Sequence, residues 1–93
     1  SKEGYEKFTQ LTKEKQIELL ASAIANLEQT LFLETINEAF WQVQVITGNK
    51  AYQQILGQVQ AKIRAMEAQV LYYKDKLAQI ERGDYVYQPF KKK

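Results

Sequence analysis

The stretch YQQILGQVQAKIRAMEAQVLYYKDKLAQI, residues 52 to 80, carries large side chains at Tyr52, Leu56, Val59, Ile63, Met66, Val70, Tyr73, Leu77 and Ile80. The steps between them alternate four and three without a miss, which is the 3.5-residue period of a coiled-coil seam. With Leu56 as position a, the flanking positions hold Lys62 with Glu67 and Lys76 with Glu81, opposite charges of the kind that border such a seam. One long helix therefore needs a second helix along its whole length.

The partner lies upstream. A first helix is expected to start near Thr12, whose hydroxyl can cap its free amides, with Glu14 in its electropositive first turn. The apolar stripe expected to face the second helix is Ile17, Leu20, Ile24, Phe32, Ile36, Ala39, Val43 and Ile46, widened by Leu27, Leu31 and Phe40 and interrupted by Glu28. Between the two helices stands TGNK, residues 47 to 50. Gly48 suits the left-handed end of the first helix and Asn49 a cap on the second. So short a link makes the helices antiparallel neighbours.

The expected fold is thus all-α: a single-domain antiparallel hairpin over residues 1–93. It divides into an N-terminal arm (1–11), helix one (12–47), a turn (48–49), helix two (50–82) and an extended aromatic and basic tail (83–93). Helices of about 33 residues at 1.5 Å each make a rod roughly 50 Å long, and folding at the turn pairs positions whose numbers sum to about 98. Ile46 then falls near Tyr52, Ala39 near Val59, Ile36 near Ile63, Phe32 near Met66 and Leu20 near Leu77. Charge agrees: residues 13 to 46 carry two Lys against five Glu, and 47 to 82 carry six basic against three acidic residues. Glu34 is expected opposite Arg64 and Glu38 opposite Lys62. Glu28 reads as a partly exposed boundary residue, or as a buried acid satisfied by Tyr72 or Tyr73.

Two helices share one seam, which is little core for so long a rod. Each helix has a further face. On helix two, Gly57, Ala61, Ala65 and Ala68 lead to Tyr72, a stripe of small residues that lets another helix approach closely. On helix one, Leu19, Ala23, Asn26, Thr30, Leu33, Asn37, Trp41 and Val45 recur at steps of three and four. These faces predict assembly into a four-helix or larger bundle, with Leu33, Trp41, Val45, Gly57, Ala61, Ala65, Ala68 and Tyr72 at the interface. Asn26 and Asn37 either fix register there or sit solvated at its edge.

The termini add aromatics. Tyr5, Phe8 and Leu11 at steps of three suggest one or two helical turns that fold over the bundle end or grip a partner. Gly83 stops helix two and Pro89 prevents its resumption, leaving Tyr85, Tyr87 and Phe90 as tail anchors that dock on protein.

Composition excludes much. The chain has no Cys and no His, so disulfides, thiolate chemistry and the commonest general base and metal ligand are absent. No nucleophile with a base, phosphate loop or Glu-x-x-His pair stands in the sequence, and neither enzyme activity, cofactor, metal nor small-molecule substrate is expected. No run of about 18 apolar residues predicts a membrane span, and the first twenty residues are too charged for the apolar core of a signal peptide, so a cytoplasmic setting is expected. The hairpin outline resembles the WXG100 secreted proteins, but Trp41 is followed by Gln42 and Val43, and the nearest glycine is Gly48, beyond the helix. The Trp-x-Gly turn of that family is absent and nothing is carried over from it.

The functional expectation is a non-enzymatic, homo-oligomeric protein-binding module: an assembly factor, adaptor or inhibitor. The alternative is an oligomeric nucleic-acid-binding protein, for example a small viral packaging or regulatory subunit. It would gather Arg64, Lys74, Lys76, Lys91, Lys92 and Lys93 from several copies.

Overall fold

A computed structural model describes residues 1–83. Three helices follow one another: α1 (Lys2–Thr9), α2 (Lys13–Ile46) and α3 (Tyr52–Arg82). Helices α2 and α3 pack against each other as an antiparallel hairpin 53 Å long. The tail anchors Tyr85, Tyr87 and Phe90 and the lysines 91 to 93 lie outside the described residues.

Local chemistry sets the helix ends. The Thr12 hydroxyl accepts a hydrogen bond from the Lys15 amide at 3.2 Å and opens α2. At its other end Gly48 takes φ +110°, and Gly83 closes α3 at φ +76°, both in the region that favours glycine. Helix α3 begins at Tyr52 rather than residue 50. The Asn49 side chain accepts from the Ala51 amide at 3.1 Å, so it shapes the turn instead of capping the helix.

The α3 seam is as its period demands: Met66, Val70 and Ile80 are buried, and the other six seam positions are half-buried. On α2 the outcome differs. The residues turned toward α3 are Ile17, Leu20, Ile24, Leu27, Leu31, Glu34, Glu38, Trp41 and Val45, again at alternating steps of three and four. Phe32, Ile36, Ala39, Val43 and Ile46, expected in the seam, are all exposed. The reason is phase. Eight residues separate Ile24 from Phe32, and at 100° per residue that step leaves Phe32 about 80° off the line through Ile24. An unbroken helix cannot switch faces midway. The N-terminal half sets the phase, and the C-terminal half follows it even though that brings two glutamates to the seam.

Those glutamates sit at its borders. Lys62 donates to Glu34 at 3.1 Å, in place of the expected Glu34–Arg64 and Glu38–Lys62 pairs, and Lys74 donates to Glu28 at 3.2 Å. Glu28 is therefore the exposed boundary acid and not a buried one. Exposed pairs of this kind contribute under about 1 kcal/mol each, but they oppose slipped registers.

Helix α1 folds back over the open end of the hairpin, one of the two arrangements expected of the arm. The Gln16 side-chain amide donates to the Phe8 carbonyl at 2.9 Å, and Tyr5 and Phe8 line a cavity of about 310 Å³ with Leu20, Tyr73, Lys76 and Ile80.

Candidate protein-binding surface

The face of α2 that points away from α3 carries Phe32, Leu33, Ile36, Phe40, Val43 and Ile46. These six side chains are between 54% and 82% exposed. At 100° per residue their mean direction lies about 180° from the α2 seam, so the hairpin itself cannot cover them. Phe32, Ile36, Ala39, Val43 and Ile46 again step four, three, four, three: a second heptad stripe on the opposite side of the same helix. From residue 29 to 46 the only charged side chains are Glu34 and Glu38, and both belong to the seam. The outer face is uncharged over four turns.

Exposed area on this scale is unusual. At about 100 Å² apiece, six half-exposed large side chains present on the order of 600 Å², the upper end of what monomeric proteins leave uncovered. By contrast, Ile24, Met66, Val70 and Ile80 are the only apolar residues among those described that are buried. From Phe32 to Ile46, more large apolar side chains of α2 face out than in.

The interface residues read from the sequence fall on separate surfaces. Leu33 lies on the exposed α2 face. Trp41 and Val45 lie in the hairpin seam, where the Trp41 ring meets Tyr52 edge-on at 5.2 Å between centroids and Phe40 at 5.1 Å. Gly57, Ala61, Ala65 and Ala68 are exposed along α3, and a side chain added at Gly57 would meet nothing within 4 Å. Tyr72 borders the α1 cavity. Of the basic residues, Arg64 is exposed, Lys74 is paired with Glu28, and Lys76 is buried beneath α1. The sequence signal for the outer face was present all along: carrying the Ile17–Ile24 phase forward by sevens reaches Trp41 and Val45 and leaves Phe32 and Ile36 outside.

Lys76 is the one buried charged side chain among the described residues. Its ammonium stands 5.2 Å from the Tyr72 ring centroid. Burial pushes its pKa below the ordinary lysine value, and the neighbouring Asp75 carboxylate offsets part of that effect. A lysine whose pKa is lowered by folding carries its desolvation penalty in full below the folded pKa. The penalty is released as pH rises through that value toward 10.5, so stability increases with pH in that window. Lys76→Met keeps most of the stem without the charge. It is expected to raise the melting temperature at pH 7, and the difference from the parent should shrink as pH approaches 10. A gap that is constant or widens with pH would refute the burial account.

No group of His, Cys, Asp and Glu residues able to hold a metal ion occurs among the described residues. No described helix is long and apolar enough to cross a membrane. Comparison of the chain with known protein families, with curated proteins and with solved structures finds no match.

Proposed function

We propose that this chain is a non-enzymatic protein-interaction module that works as an oligomer, serving as an assembly factor, adaptor or inhibitor. One observation carries the reading: the hairpin buries four apolar residues yet displays a continuous, uncharged, heptad-spaced apolar face from Phe32 to Ile46. A face of that kind marks a surface that a partner helix covers. Two of the carboxylates along the hairpin are held in ion pairs, Glu34 with Lys62 and Glu28 with Lys74, which fits a binding role better than a catalytic one. The nucleic-acid alternative draws less support, because Lys74 and Lys76 are engaged within the hairpin rather than gathered on one open surface.

Molar mass by light scattering, followed over concentration and salt, tests this reading. A mass above the 10.8 kDa of one chain that survives 0.5 M salt is expected, since apolar burial is not screened. A monomer at all concentrations would overturn it. Binding to DNA or RNA that collapses by about 10³-fold or more between 50 and 200 mM salt would favour the alternative.

A further inference from the structure

The occupant of the α2 outer face can be read from its symmetry, taking the protein-interaction module above as its premise. We infer that the face pairs with the same face of a second copy, antiparallel, about a twofold axis at Ala39.

Three observations converge. First, the stripe runs from Phe32 to Ile46 with Ala39 at its midpoint. Antiparallel pairing there brings Phe32 of each copy level with Ile46 of the other and Ile36 close to level with Val43. The small Ala39 sits where the two helices come nearest, which permits close approach. Second, antiparallel pairing sets the two α2 dipoles against each other, whereas parallel pairing lays like ends side by side; Glu28 stays with Lys74 in its own hairpin. Third, the area suffices. On the order of 600 Å² of apolar surface per copy, or about 1,200 Å² over the two, clears the roughly 1,000 Å² total expected of a specific interface before any polar rim is counted.

The arrangement is isologous, so each contact occurs twice and the contact closes at two copies. It is also not a compact bundle. The outer face lies opposite the seam, so the four long helices form a layer with the two α2 helices in the middle and the two α3 helices outside.

Single-cysteine variants test the register, because the parent chain has no Cys. Thr35 and Gln42 are exposed and seven residues apart, hence on the same edge of the face, and they straddle residue 39. T35C mixed with Q42C should form a disulfide-linked pair on mild oxidation, while neither variant alone should link to itself. In parallel, Ile36→Glu should keep its helicity but raise the dimer dissociation constant on the order of 100-fold or more, since two unpaired carboxylates enter the apolar face. Ala68→Glu, on α3, should leave the dimer intact. A parent chain that is monomeric overturns both this pairing and the module reading. A parent oligomer that survives Ile36→Glu, or links T35C to itself but not to Q42C, overturns the pairing alone.

Discussion

Met66→Ala is expected to lower the stability of the hairpin by about 2–4 kcal/mol, a fall in melting temperature on the order of 10 to 25 °C for a chain of this size. Met66 is 8% exposed and lies near the middle of α3, where the removed methylenes leave a cavity that two long helices cannot close by small shifts. Ile36→Ala serves as the contrast. In the register read from the sequence, Ile36 belongs to the same seam and should cost a similar amount. On the outer face of α2 it is 55% exposed, and removing it from an isolated hairpin should cost under about 0.5 kcal/mol. Thermal melts of the two variants at low micromolar concentration, where self-association is weakest, separate the cases. Equal losses would place Ile36 back in the seam and remove the outer face as a binding surface.

That contrast marks where the sequence was legible. Helix α3 has one apolar stripe, and its nine positions could be read directly because nothing competed with them. Three ends of the long helices are equally open, since Thr12, Gly48 and Gly83 each supply a chemistry that few other residues can, whereas the start of α3 is not, because Asn49 spends its side chain on the turn. Helix α2 is harder because its C-terminal half is apolar on two opposite faces. The richer stripe, Phe32 to Ile46, looks like the core by hydrophobicity alone, while the face that meets α3 contains Glu34 and Glu38. Only the rigidity of the helix decides between them, by transmitting the phase of Ile17, Leu20 and Ile24 through Leu27 and Leu31.

The same competition explains the interface residues. Leu33 was read as outward, and it is. Giving the seam to Val43 and Ile46 sends Trp41 and Val45 to an external face, because a helix cannot present all four to one neighbour. Once the phase is carried through, the most apolar part of the molecule's surface is what had been read as its core. The functional inference therefore moves from the side of the hairpin to the back of α2.

Trp41 provides the second large effect. The α2 seam between Leu31 and Val45 holds Glu34, Glu38 and Trp41, so the indole supplies most of the apolar contact near the closed end. Trp41→Ala removes that contact together with the edge-to-face arrangement on Tyr52, whose rings lie 5.2 Å apart at 62°. The ring is only half-buried, which moves the loss toward the lower end of the usual Trp→Ala range, at about 2–4 kcal/mol. Leu33→Ala should behave in the opposite way: little change in the melt of the isolated hairpin, and weaker self-association. A double-mutant cycle of Trp41→Ala with Tyr52→Ala should return a coupling of about 0.5–1.5 kcal/mol, as an aromatic pair in direct contact gives. Trp41 is the single tryptophan, so its fluorescence in the parent chain also follows the closing of the seam. Emission should shift to the red when the hairpin unfolds and should change little when Ile36→Glu separates the copies. If Trp41→Ala instead left the melt unchanged and abolished association, the indole would face outward. The phase of α2 and the pairing built on its outer face would then both fall.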